Sequence, residues 1–258
     1  MKHKMILAVF VVLLTGIITA CGSSNDQASG EEGKEKKVLK MATSADFPPF
    51  ETRDPEGNFE GFDIELGQMI AEELGYELEI EDMQFDGLIG ALQADRVDMV
   101  MSGMSATEDR KKNVDFSTEY HRSGQSFLTT KDSEIETIDD LKGKTVGVQL
   151  GSIQEEGAKK LAKEYGFEVK TVDKAGLVPQ ELNANRIDAG YMDKTVAAGY
   201  VKEQDLKLFD DPTESSPGMG IAFPKGSKLV EKVNDVLAKF EENGEIQELE
   251  DKWLKELQ

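Results

Sequence analysis

The sequence predicts an α/β protein folded as two similar lobes, and three observations carry that prediction. The apolar pattern switches repeatedly between a period of two and a period near 3.6 from Val38 onward, as alternating strands and helices require. The stretch Leu92-Gln93-Ala94-Asp95-Arg96-Val97-Asp98 returns about ninety residues later as Leu182-Asn183-Ala184-Asn185-Arg186-Ile187-Asp188, so a helix end, a turn and a strand start are repeated. Two extended segments, Ser126 to Thr130 and Gly220 to Pro224, are spaced to lead out of one lobe and back into it, giving two hinge strands. The expected lobes are 38–127 plus 223–258, and 128–222.

Taken in order, Val38 to Thr43 reads as a strand, and Asp63 as the cap of a helix that carries Ile64, Ile70, Ala71 and Leu74 on one face and stops at Gly75. Tyr76, Leu78 and Ile80 alternate as a second strand. Asp86 precedes a helix with Leu88, Ile89 and Leu92, and Val97 to Met101 forms a third strand. Each echo copy leads through a strand to a polar turn, Ser102-Gly103-Met104-Ser105 in the first and Asp193-Lys194-Thr195 in the second. Ligands of open α/β sheets collect outside the carboxyl ends of strands, so both turns are candidates for one cleft. A helix from Ser227 presents Leu229, Val233, Leu237 and Phe240 until Asn243-Gly244, and a last short helix holds Ile246, Leu249 and Trp253. These stripes are core.

The N-terminus has Lys2 and Lys4, an apolar run from Met5 to Leu14, then small residues up to Cys21. The run is shorter than the roughly 20 residues of a membrane span and reads as a signal peptide over 1–20. Ile18-Thr19-Ala20-Cys21 resembles a bacterial lipobox, in which the thiol of Cys21 is acylated and anchors the protein to a membrane. Residues 21–37 have a tether's composition, rich in Gly, Ser, Glu and Lys. Cys21 is the single cysteine, so no intramolecular disulfide is available, and a net charge of −21 disfavours nucleic acid and anionic lipid surfaces as partners. With only His3 and His121, the chain shows neither a metal-binding spacing nor a catalytic Ser-His-Asp order, and no cofactor is expected.

Arg110 lies in the first turn of a helix opened by Thr107. Unpaired N–H groups and the helix dipole favour an anion there, and a guanidinium adds a planar fork suited to a carboxylate. The alternative is a surface arginine beside Glu108 and Asp109. Asp193 follows the second echo strand, where a lone Asp is also a natural helix cap.

Several motifs then converge: Thr43-Ser44-Ala45-Asp46-Phe47-Pro48-Pro49-Phe50-Glu51, Gly61-Phe62-Asp63-Ile64-Glu65-Leu66, Phe85-Asp86-Gly87-Leu88-Ile89, Ser102-Gly103-Met104-Ser105-Ala106-Thr107-Glu108-Asp109-Arg110, Val146-Gly147-Val148-Gln149-Leu150-Gly151-Ser152 and Gly218-Met219-Gly220-Ile221-Ala222. In combination the sequence resembles the polar-amino-acid group of bacterial extracellular solute-binding proteins over nearly all of the chain after the tether. The resemblance implies a two-lobed periplasmic-binding-protein-like fold of type II that closes on one free amino acid and delivers it to a membrane ABC permease. It implies a monomer and no catalysis. The matching arginine, Arg110, takes the ligand α-carboxylate with Ser105 and the backbone around Ser152 and Ile153. Asp193 accepts from the α-ammonium, helped by the carbonyl of Gly103 and the hydroxyl of Ser105. Phe47 and Phe85 match the pair that walls the ligand side chain, although either is equally suited to a core.

Two departures matter. Many relatives carry a hydroxyl residue at Ile153, which here offers its N–H alone. Some use an acid at Ser44 to hold a cationic or amide side chain, leaving Asp46, Glu51 or Gln154 as substitutes and the choice among basic amino acids, glutamine and cystine open. Rival readings are a sensory module for a membrane receptor and a dehydratase-type enzyme on the same scaffold.

Overall fold

Two five-stranded sheets repeat one strand order. The computed structural model describes residues 37–212 and 216–255. In the first sheet the order is Tyr76–Asp82, Lys37–Thr43, Met99–Val100, Met219–Pro224, Val114–His121; in the second it is Glu168–Val172, Thr145–Gln149, Ala189–Asp193, Gln125–Thr130, Leu206–Asp210. The first three strands of each are mutually parallel and the fourth runs antiparallel to both its neighbours. The two-lobed α/β fold expected from the sequence is thus present.

The echo is conformational. Asp95 and Asn185 sit in the left-handed region, with φ 51° and 55°. In each copy the last helical turn closes by the same two bonds, Asp95 N–H to Leu92 O and Arg96 N–H to Ala91 O, then Asn185 N–H to Leu182 O and Arg186 N–H to Glu181 O. This is a Schellman ending, for which Asn and Asp are the best residues after glycine. The closing aspartate of each copy then clamps the neighbouring strand: Asp98 Oδ2 accepts Lys40 N–H and Asp188 Oδ2 accepts Thr145 N–H, both at 2.8 Å.

Both faces of each sheet are covered. Met41, Met99, Ile221 and Phe223 lie in one buried cluster with Ile64 and Ile70 of the helix Phe62–Glu73 and with Val233 and Leu237 of the helix Leu229–Asn243. Ala42, Val100 and Ala222, one residue along each strand, belong instead to the cluster of Leu88 and Leu92 from the helix Leu88–Gln93. In the second sheet Val146, Val148, Ala189 and Tyr191 cluster with Ala158 and Leu161 of the helix Ile153–Tyr165. Each fully buried Met, Val, Leu, Ile or Phe side chain among these is worth about 1.5–3 kcal/mol.

Four local expectations are corrected. The helix after the first strand is capped by Gly61, at φ 127°, whose absent Cβ would meet Phe50 O at 2.3 Å; Asp63 is inside the first turn with its carboxylate turned elsewhere. The strand expected over 97–101 shortens to Met99–Val100, because Val97 and Asp98 complete the clamp. Lys37, counted with the tether, opens the first strand opposite Tyr76. The chain changes sheet between His121 and Gln125 and again between Asp210 and Met219, whereas the sequence reading cuts at 127/128 and 222/223, inside strands that belong whole to one sheet. The signal peptide, Cys21 and the tether up to residue 36 lie outside the described residues. Among the described residues no helix is long and apolar enough to cross a membrane.

Candidate functional site

Between the carboxyl ends of the two sets of parallel strands lies a cleft. Ser44, Phe47, Phe85, Gly103, Ser105, Arg110, Ser152, Ile153, Gln154 and Asp193 all line it, as do Glu51, Ser102, Gln149 and Met219. All ten residues singled out in the sequence as ligand-binding therefore meet in one space.

The cationic side is built from the turn after Met99–Val100. Thr107 caps the short helix Glu108–Lys111 by accepting Arg110 N–H at 3.2 Å, which fixes the arginine backbone. Its guanidinium donates to Ser105 O at 2.9 Å and, across the cleft, to Gly151 O at 3.0 Å, and stands 5.3 Å from the Phe85 ring centroid. Two of five N–H donors are thus used on neutral carbonyls, and the rest remain to serve an anion. Burial lowers the Arg110 pKa to about 10, partly opposed by Glu156, so the group stays charged at neutral pH.

Gly103 has φ 53°, and a Cβ there would meet Phe47 Cε1 at 2.7 Å. The aromatic ring consequently lies directly on the glycine, a contact closed to any other residue.

The second sheet contributes two helix starts. Ser152 caps the helix Ile153–Tyr165, its hydroxyl accepting Glu155 N–H at 3.1 Å while donating to Gln149 O at 2.7 Å; Glu155 Oε2 returns to Gly151 N–H at 2.7 Å. The Ser152 hydroxyl is committed to the cap, so an anion at this helix start meets backbone N–H groups and the positive end of the dipole. Gln154 donates to Gln125 Oε1 at 2.6 Å. Asp193 ends the strand Ala189–Asp193 and caps the helix Lys194–Glu203, accepting Thr195 N–H at 2.9 Å and Val196 N–H at 3.4 Å through Oδ1. This aspartate both caps its helix and lines the cleft. Burial raises its pKa to about 6, against the pull of Ser123 and the two N–H groups.

Asp46, considered as a reader of the ligand side chain, has another occupation. Its Oδ1 accepts the Ser44 hydroxyl at 3.0 Å and its Oδ2 accepts Gly176 N–H at 3.2 Å, at the start of the helix Leu177–Asn183 in the other lobe. Gln149 and Met219 are outside the set the sequence points to, Ser102 enters it only as part of the turn Ser102–Ser105, and Glu51 only as a substitute side-chain reader. Gln149 ends the strand Thr145–Gln149 and Ser102 follows Met99–Val100, so the strand-end rule, applied to the last strand residue as well as to the turn, finds both.

With this geometry the chain matches other proteins along its length. It is 45% identical over 253 residues to the arginine-binding extracellular protein ArtP of Bacillus subtilis, with 97% of each chain covered. It is 34% identical to the L-cystine-binding protein TcyJ of Escherichia coli, over 94% of this chain and 91% of that one. An ancestral arginine-binding protein, solved bound to arginine, superposes with a TM-score of 0.80 at 42% identity, covering 84% of this chain and 98% of that one. The model of the bacterial extracellular solute-binding proteins, family 3, matches residues 39–256. A cleft opened by a positive turn on one sheet and a negative helix cap on the other, in a chain matched from end to end of its folded part, makes this protein a member of family 3 of the bacterial extracellular solute-binding proteins.

Proposed function

We propose that the cleft takes one free polar amino acid, with a long cationic side chain of the arginine type favoured, and that the protein presents it to an ABC permease. The carrying observation is that Arg110 and Asp193, from different sheets, border the same space. The α-carboxylate lies on Arg110, Ser105 and the helix start at Ser152 and Ile153. The α-ammonium lies on Asp193 and the Gly103 carbonyl. Phe47 and Phe85 wall an aliphatic stem and a delocalised cation, which aromatic faces attract, and Ser44, Gln149 and Gln154 offer polar atoms to its end. The preference for a cationic side chain draws on the similarity to ArtP, an arginine-binding protein, and to the ancestral arginine binder.

Burying both termini of a zwitterion is favourable only when both are paired, so ligand and closure stabilise one another. Cys21 carries the lipid that holds the protein, as a monomer, on the extracytoplasmic face after removal of residues 1–20, with 21–36 as tether. The reading is one of binding rather than catalysis. Calorimetric titration with arginine, glutamine and cystine tests it: Arg110→Ala is expected to weaken every amino acid that the native protein binds by about 30-fold or more, the effect of removing one partner of a buried charge pair at about 2–5 kcal/mol. Undiminished binding by that variant rejects the proposal.

A further inference from the structure

Under the Ser102–Gly103 turn lie two carboxyls, Glu51 and Asp63, both at 0% exposure. Asp63 Oδ2 accepts Gly103 N–H and Tyr120 O–H, each at 2.8 Å. Glu51 Oε1 accepts the Ser102 hydroxyl at 2.9 Å, whose oxygen in turn accepts Ser44 N–H at 3.0 Å. The other two oxygens, Glu51 Oε2 and Asp63 Oδ1, are buried and have no donor among the described residues. The two residues are held side by side, Asp63 N–H donating to Phe50 O at 2.8 Å, and their side chains reach adjacent residues of one turn. Two ionised carboxylates in that position repel in a medium that screens poorly, while one proton between them gives both orphan oxygens a partner.

We propose that Glu51 and Asp63 share one proton, carried by Glu51 and donated to Asp63, and that this acid–carboxylate pair positions the Ser102–Gly103 turn of the cleft. The charge belongs on Asp63, which already has two donors against one for Glu51. Burial first, and then the Asp63 charge, holds the Glu51 carboxyl well above the ordinary range. The titratable groups acting on the pair are Asp46 and Tyr120; His121 packs its ring on Phe50 and Phe62 with its Nδ1 3.8 Å from Glu250, and Arg110 and Asp193 border the cleft that Glu51 also lines. Glu51 and Asp63 are thus positioning residues: they hold Gly103 N–H and Ser102 Oγ from below, leaving the Gly103 carbonyl to the ligand. That last role alone rests on the proposed function.

Two measurements on ligand-free protein test the pair. With 13C at the glutamate side-chain carboxyl, infrared spectra at about pH 7.5 are expected to contain an isotope-shifted C=O stretch of a protonated acid, lost in Glu51→Gln. Because folded Glu51 keeps a proton that the unfolded chain releases near pH 4.5, stability falls as pH rises through the pair's folded pKa. The amide of the Glu51→Gln variant would donate to Asp63 without titrating, so the lead in Tm of native protein over that variant is expected to shrink as pH climbs from about 5 to about 9. Absence of the shifted band in native protein overturns the proposal even if the variant fails to fold, and parallel Tm profiles overturn it as well. Neither readout involves an amino acid, so failure of the binding proposal leaves this one standing, and the reverse.

Discussion

The carboxyl ends of the two central strands begin from the same clamp and end in opposite charges. After Met99–Val100 the chain spends seven residues, 101–107, on a turn before the four-residue helix that carries Arg110. After Ala189–Asp193 it enters a ten-residue helix at once, and the last strand residue is itself the cap. Once the clamp has fixed where the strand starts, the length of chain beyond the strand decides what faces the cleft. A loose connection brings a long guanidinium in from the side, and a tight one leaves a short carboxylate at the strand tip. The first arrangement needs a glycine at positive φ and buried carboxyls beneath it; the second needs only a helix to cap.

Breaking the charged end of each side gives the largest effects. On the second lobe, Asp193→Asn keeps a good N-cap and removes the charge, so affinity for an amino acid is expected to fall by about 2 kcal/mol or more while Tm moves little. Asp193→Ala should lose both, the cap adding about 1 kcal/mol of destabilisation in a denaturant titration. Native protein should also lose affinity as pH drops below about 6, because the free carboxyl titrates there. The stability term has the opposite sense. A folded pKa above the unfolded one favours the fold at low pH, and that contribution is lost as pH rises through about 6. Equal affinity at about pH 5 and pH 7.5 would remove Asp193 from the ammonium site.

On the first lobe the corresponding break is Gly103→Ala. It forces a Cβ to within 2.7 Å of Phe47 at φ 53°, and a cost of about 1–3 kcal/mol in stability is expected, together with weaker binding as Phe47 shifts. Stability measured by urea unfolding that is unchanged within about 0.5 kcal/mol would show that the turn absorbs the strain.

A smaller effect sharpens how the lobes meet. Asp46 of the first lobe caps Gly176 of the second, a helix start with no side-chain cap of its own. Asp46→Ala is expected to cost about 1 kcal/mol in ligand affinity, expressed in the rate of ligand release, because the bond joins the lobes only when they are together.

What the sequence made legible follows from the range of each interaction. The echo, the helix stops at Gly75 and Gly244, and the two polar turns are local chemistry, and they read correctly from residues within one turn of each other. Arg110 and Asp193 emerge from motifs joined to the strand-end rule. The sheet changeovers were misplaced because whether Met219 to Ala222 pairs with Val114–His121 or with the second sheet depends on partners about a hundred residues away. Asp63 reads as a cap for the same reason: its partners are Gly103 and Tyr120, and nothing in the segment 61–66 announces them.

The finest comparison is between the two clamp aspartates themselves. Asp98 and Asp188 accept a strand N–H at the same distance, 2.8 Å, but the first bond is part-buried and the second is exposed. Removing an acceptor from a buried N–H costs its desolvation as well as the bond, whereas water replaces an exposed one. Asp98→Ala should therefore destabilise by about 1–2 kcal/mol and Asp188→Ala by about 0.5 kcal/mol, read as the difference in urea midpoint at constant slope. Equal losses would mean that the clamps act through the strand geometry they share, not through the solvent they exclude.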